Sequence, residues 1–296
     1  MARRSVMFTP GDQPDRMWKA PDSAADVVIF DLEDAIDPAE KDVARERVNE
    51  VLTDPDFEPA PELWVRCNHR PAAMVADVDT ALAGDPRVDG VVLPMADSAA
   101  DPERLADVLA DAGHALPVLP QVETAAGVLH AEEVAAAAPV DALLFGGEDF
   151  TADIGATRTA EQTEMLHARQ RVVLAASAAG VDAIDTLNTD FHDEEGLRAD
   201  AEFALELGFD GKICIHPGQV EVVNEAFTPA PDRIEWAETV VAARAEAERE
   251  GRGVFEVDGE MIDAPLITRA TQVLERARAA GVDVAANVSE IENDKG

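Results

Sequence analysis

Short runs of β-branched and other apolar residues recur along this chain. Each is followed by a longer stretch in which apolar positions return every three or four residues. The runs at 5–8, 27–31, 63–67, 90–94, 118–122, 142–145, 181–185 and 212–215 read as strands buried on both faces. Between them, segments such as 39–52, 102–112 and 161–179 carry the helical period. Strand and helix alternate eight times, which predicts parallel βαβ units. Eight units in about 220–230 residues is the size of a closed (β/α)8 TIM barrel. An open doubly wound sheet is the competing arrangement. It is weakened because no Gly-rich phosphate fingerprint follows any of the strands.

After the eighth strand a helix is expected over 217–227, and Pro229 and Pro231 mark a break. A long charged helix over 233–250 follows, then the Gly-rich GRGVFEVDGEMIDAP (251–265), a last helix over 266–280 and a polar tail. The expected organisation is therefore a barrel over 1–228 and a C-terminal helical extension over 229–296.

Composition fits a folded chain: 47% of the 296 residues are hydrophobic. No apolar run is long enough to cross a membrane, and MARRSVMFTPG lacks the apolar centre of a signal peptide. The expectation is a cytoplasmic protein without a membrane partner. Cys67 and Cys214 fall in predicted strands and read as small buried thiols rather than a disulfide. Charge changes the picture more. There are 61 acids against 24 bases, a net charge of −37, and only four of the bases are lysine. The acids are spread along the chain, not gathered in a tail. This reads as the acid-coated surface of a halophilic protein, whose self-repulsion is screened by salt. No basic stripe is present, so nucleic acid is not an expected partner.

Barrel active sites sit at the C-terminal ends of the strands. Read in order, those ends carry Asp31, Glu33 and Asp34 in FDLEDA, Arg66 in VRCN, Glu123 in VET, Glu148 and Asp149 in FGGEDF, and His216 in IHP. A ring of acids holding one arginine calls for a cation. Glu123 and Asp149 follow neighbouring strands, and two carboxylates completed by water and substrate oxygens suit Mg²⁺. Each acid taken singly reads more readily as a helix cap; the set, with Gly146 and Gly147 giving close backbone approach, reads as a metal site. Arg66, ending an apolar strand, needs an anion: a structural partner in Asp31 or Asp34, or a substrate carboxylate gripped by its planar fork. Lys41 and Arg45 are expected to pair with the DLEDA acids or to cap that loop. His216, before Pro217, reads as a packed structural residue. The other histidines form no pattern, and no Ser/His/Asp elbow or reactive cysteine is present.

RRSVMFTPGDQPDRMWKA, VVIFDLEDAIDPAEK, VRCN, VETAAGV, FGGEDFTADIG, GFDGKICIHPGQVEVVNEAF and VDGEMIDAP occur in this order. Together they resemble the citrate lyase β-subunit-like/malyl-CoA lyase family (HpcH/HpaI aldolases) over residues 4–274. The resemblance implies a TIM barrel in homotrimers or multiples of trimers. It implies that Glu123 and Asp149 are Mg²⁺ ligands and that Arg66 holds a substrate carboxylate. Lys19 and the Ile213–Cys214 backbone would contact the coenzyme A thioester, and Asp263, on a lid from a neighbouring subunit, would reach the site. Asp31, Glu33 and Asp34 would organise the shell around metal and Arg66. Met95 stands where the family commonly has lysine, Asp15 where a base is common, and Phe8 where some relatives have tyrosine. The implied activity is Mg²⁺-dependent carbon–carbon cleavage of malyl-, β-methylmalyl- or citramalyl-CoA to a 2-oxoacid and an acyl-CoA. The alternatives are a malyl-CoA thioesterase using the same site, a metal aldolase on free 2-oxoacids, and a carrier-dependent citrate lyase β-like subunit.

Overall fold

The computed structural model describes residues 2–249, 251 and 253–284. Residues 285–296 of the polar tail, Glu250 at the end of the predicted helix over 233–250, and Arg252 of the Gly-rich segment lie outside the described residues. The chain divides into two compact units, Arg3–Phe227 and a C-terminal unit from Thr228.

In the first unit eight parallel strands close into a barrel in chain order. They are β1 (Ser5–Pro10), β2 (Val27–Asp31), β3 (Glu62–Arg66), β4 (Gly90–Leu93), β5 (Val118–Val122), β6 (Ala142–Phe145), β7 (Asp182–Asp185) and β8 (Gly211–Cys214). The helices between them are α1 (Pro14–Lys19), α2 (Lys41–Thr53), α3 (Pro71–Ala81), α4 (Ala100–Asp111), α5 (Ala125–Leu129), α6 (Ala131–Ala135), α7 (Gly147–Asp153), α8 (Leu166–Ala179) and α9 (Glu194–Leu207); α10 (Pro217–Phe227) follows β8. The closed barrel excludes the open sheet. Closure follows from the pairing of β8 with β1, with Val6 opposite Ile213.

Alternation along each strand sends one set of side chains inward and the other to the helices. Val6, Ile29, Trp64, Val92, Leu144 and Ile184 fill the barrel, all at most 1% exposed. Trp64 is accommodated by Gly90, where any Cβ would strike the indole ring. The N-terminal end of the barrel is closed by Arg3. Its guanidinium reaches Glu62 on β3 at 3.0 Å, Asp182 on β7 at 3.4 Å and Asp141 just before β6 at 2.6 Å.

A second charged cluster lies in the layer between strands and helices. Lys212 on β8 approaches Asp185 on β7 and Asp200 on α9, both at 2.8 Å. Arg169 on α8 clasps Asp185 with Nε at 3.0 Å and Nη2 at 2.7 Å. Lys212, Arg169 and Asp185 are completely buried. Two cations and two anions cancel, which is the condition for keeping such groups out of water.

The helix expected over 161–179 starts later, at Leu166. Gln162 adopts a left-handed φ of 51°, which breaks the helical path, and its side chain accepts from Arg169 at 2.9 Å.

The C-terminal unit holds α11 (Pro231–Arg249), β9 (Phe255–Val257), β10 (Glu260–Ile262) and α12 (Ala264–Ala279). Within the Gly-rich segment, 255–262 forms an antiparallel hairpin with Phe255 opposite Ile262. Asp258 and Gly259 at its tip both have positive φ, 48° and 83°, as the tightest hairpin turns require. Ile234, Val240, Val257, Ile262, Ala270 and Leu274 form its apolar core. Asp263 is exposed and caps α12, accepting from the Leu266 N–H.

Candidate active site

The strand ends converge on a cavity of about 390 Å³ inside the first unit, whose wall includes Arg66, Asp31, Asp34, Asp149, Gln121 and Ile213. The pairing register explains the first contact. Asp31 ends β2 directly opposite Arg66, which ends β3, so the two side chains meet at the same height. Arg66 donates to Asp31 through Nε at 2.7 Å and Nη2 at 2.6 Å, a bidentate clasp. Its remaining nitrogen, Nη1, reaches Glu33 at 3.1 Å and Asp34 at 3.4 Å. The guanidinium also lies 5.0 Å above the ring of Phe8. Burial alone would lower the Arg66 pKa, but the Asp31 charge and hydrogen bonds raise it above the ordinary value. Glu33 is pushed up to about 7, first by burial and further by Asp34 and Asp31, with Arg66 opposing. Asp31 is held by the backbone N–H groups of Glu33 and Ala35 as well.

Lys41 caps this loop. Its ammonium donates to the carbonyls of Leu32 at 2.7 Å and Glu33 at 2.5 Å. Arg45 turns away and pairs with Asp77 and Asp42 instead.

Glu123 follows β5 and is 2% exposed. One of its oxygens accepts from the Met95 N–H at 2.7 Å; the other accepts from Gln121 Nε2. Its pKa rises to about 8, first because of burial and then because Asp149 lies close, with the Met95 N–H opposing. Asp149, in the first turn of α7, is raised as well by burial and by Asp34, with Arg66 and the neighbouring Glu123 carboxyl opposing. Gly146 permits this approach, since a Cβ there would collide with Glu123 and Gln121. The helix cap of α7 is Gly146, not an acid, and that of α5 is Thr124; neither Glu123 nor Asp149 is a cap.

Two neighbouring carboxylates, one of them buried, are best compensated by a proton or a cation. Among the described residues no third His, Cys, Asp or Glu joins them as a metal cluster. Mg²⁺ bound by one or two carboxylates, with water and substrate completing the octahedron, fits this donor set. The Gln121 Oε1 is buried without a hydrogen-bond partner in the same wall.

The other predicted residues lie as follows. Ile213 lines the cavity, and Cys214 faces the helix layer with its thiol pushed up to about 12 by burial. Lys19 is exposed on α1, one turn from Arg16, which does line the cavity. Among the described residues neither cation has a carboxylate partner, although acids greatly outnumber bases. Arg16, Gln121 and Thr186 were not singled out by the sequence. Gln121 had a signal, because it shares the inward face of β5 two residues before Glu123. His216 is not packed in a core: it is exposed and stacks on Phe191.

An eight-stranded barrel with two carboxylates and an arginine at the C-terminal ends of its strands has the donors to hold a divalent cation and to orient an anionic substrate there. The comparisons take this further. Residues 4–217 match the HpcH/HpaI aldolase/citrate lyase family, and the chain belongs to it. It is 35% identical to the mitochondrial citramalyl-CoA lyase of Rattus norvegicus, over 92% of this chain and 85% of that one. It is 36% identical to the (3S)-malyl-CoA thioesterase of Cereibacter sphaeroides, over 93% and 95%. Among solved structures, CitE from Mycobacterium tuberculosis in complex with magnesium, acetoacetate and coenzyme A has a TM-score of 0.79 and 36% identity, covering 94% of this chain and 98% of that one.

Proposed function

We propose that this chain is an Mg²⁺-dependent lyase that cleaves a 3-hydroxyacyl-CoA of the malyl-, β-methylmalyl- or citramalyl-CoA kind to a 2-oxoacid and an acyl-CoA. What supports this reading most is that Arg66 and Asp149 line one cavity, with the buried Glu123 carboxyl close to Asp149. Relatives named citramalyl-CoA lyase and a magnesium- and coenzyme A-bound neighbour support it.

Glu123 and Asp149 would hold the ion, which would supply Lewis-acid activation of the oxygen that becomes the 2-oxoacid carbonyl. Arg66 is kept charged and aimed by Asp31, so a substrate carboxylate would be met by Nη1, displacing Asp34. In the cleavage direction the hydroxyl proton would pass to a water molecule in the cavity as the carbon–carbon bond breaks. The electron pair passes to the acyl α-carbon as an enolate, which then takes a proton. Asp263, carried by a neighbouring subunit of a homotrimer or multiple of trimers, is the proposed group for that proton. Lys19 and the Ile213–Cys214 segment serve the coenzyme A side. Asp31 and Glu33 fix Arg66 in place. The acid-coated surface suits a halophilic cytoplasm; no described helix is long and apolar enough to cross a membrane.

The test is purified protein in concentrated KCl with Mg²⁺ and each of the three thioesters, following 2-oxoacid and free CoA separately. A 2-oxoacid with an acyl-CoA supports the lyase. Free CoA with a hydroxy acid and no 2-oxoacid makes it a thioesterase. If neither product forms, or Glu123→Ala matches the wild type, the catalytic reading is wrong and a carrier-dependent subunit takes its place.

A further inference from the structure

All ten phenylalanines are described, and only Phe191 is exposed, with 49% of its surface open. It does not stand alone. The ring of His216 stacks on it with centroids 5.2 Å apart and planes 18° from parallel, and His192 lies 4.4 Å away on the same loop. Two of the six histidines therefore gather around the one phenylalanine left in water.

The place is specific. Phe191 sits on the loop after β7 and His216 on the loop after β8. The bases of those loops, Leu187 and Ile215, line the active-site cavity. The two loops are also locked together. The buried Gln219 side chain accepts from the N–H groups of Ile215 and His216 at 2.8 and 3.2 Å, and donates to the Asn188 carbonyl at 2.9 Å. The stack is thus rigid and aromatic, and it opens at the rim of an aliphatic wall. His216 Nδ1 accepts from the Gly218 N–H at 3.1 Å, so its Nε2 is left as a donor at the ring edge.

We propose that the Phe191–His216 stack is the platform for the adenine base of the coenzyme A thioester. This rests on the coenzyme A reading of the cavity. A thioester of coenzyme A carries a thin flexible arm, a diphosphate and a flat purine. The wall formed by Leu187, Ile213 and Ile215 suits the arm. Arg16, on the cavity wall without a carboxylate partner among the described residues, suits the phosphates. The stack is the part with a flat face to offer, and base–aromatic stacking tolerates any orientation that keeps the faces parallel.

The test is the binding of CoA and of pantetheine, which lacks the nucleotide, to wild type, Phe191→Ala, Phe191→Trp and His216→Ala, by calorimetry in KCl with Mg²⁺. Phe191→Ala should raise the Kd for CoA roughly 5- to 150-fold, the range base stacking supplies. It should leave pantetheine binding unchanged, and Phe191→Trp should restore CoA binding. Equal losses for both ligands, or none for CoA, would overturn the platform while leaving the coenzyme A reading in place. Failure of the wild type to bind CoA would overturn both. A change in oligomeric state on gel filtration of Phe191→Ala would make the ring a contact between copies and also overturn it.

Discussion

Replacing Lys212 by methionine should destabilise the barrel by about 3–5 kcal/mol, the cost of removing one partner from a buried ion pair. Lys212 is completely buried, with its ammonium 2.8 Å from both Asp185 and Asp200. Methionine keeps the apolar stem and much of the volume, so packing changes little. What changes is charge: Arg169 alone must then serve two carboxylates. Asp200 reports the effect. Burial alone would raise its pKa, but the Lys212 charge and hydrogen bond, with Arg169, hold it below the ordinary value. A depressed pKa contributes stability that is fully present above the unfolded-state value and is lost as pH falls through the folded one. Wild type should therefore lose this contribution only below about pH 4, and Lys212→Met should lose stability from a higher pH. At about 2–4 °C per kcal/mol for a unit of this size, the melting temperature should drop by roughly 6–20 °C. Circular dichroism melts between pH 4 and 8 in concentrated KCl would measure it, since salt screens a buried pair little. Asp200→Asn combined with Lys212→Met restores charge balance and should recover part of the loss. A loss below about 1 kcal/mol, or a double variant no more stable than the single, would refute mutual compensation in this cluster.

Thr186 accepts the Gly147 N–H at 2.9 Å, at the start of the helix that carries Asp149. Thr186→Val should strand that donor at about 1–3 kcal/mol and weaken Mg²⁺ binding about tenfold, read by calorimetry; unchanged Mg²⁺ affinity would show that Asp149 needs no such support. Gly146→Ala should fold yet lose most Mg²⁺-dependent thermal stabilisation, because its methyl group occupies the space of the Glu123 carboxylate. Met95 holds a left-handed φ of 52° while its N–H serves Glu123, so Met95→Gly should raise stability by about 1 kcal/mol without weakening Mg²⁺ binding; a weakened site would mean the side chain matters too. Cys67 and Cys214 are buried, with thiol pKa values raised by that burial, so neither should react with a disulfide reagent at pH 8 until the protein is unfolded.

The barrel could be read from the sequence because its strands are short, apolar and regularly spaced, and because the helices between them keep one apolar face. The acids of the site could be read because an acid ending an apolar run contradicts its surroundings. The hairpin at Phe255–Ile262 was missed although Asp258–Gly259 is a strong turn signal, since each strand is only three residues long. Arg16 and Phe191 left no trace because their position depends on loops meeting in space. The Lys212 cluster was hidden for a related reason. A lysine beginning a strand reads as a surface residue, and only the packing of α8 and α9 encloses it.

The pairing of Ser5 with Lys212 joins residues about 200 positions apart, so loop closure there carries the largest entropic cost of any strand pair in the barrel. During synthesis β1 leaves the ribosome first, yet it must wait for β8 before one of its edges is covered. Arg3 waits with it, because Asp141 and Asp182 arrive late. Until then the nascent chain exposes two open strand edges, the surfaces through which incomplete sheets aggregate. Dense acid along the chain works against that encounter, since two unfinished copies repel before their edges can meet.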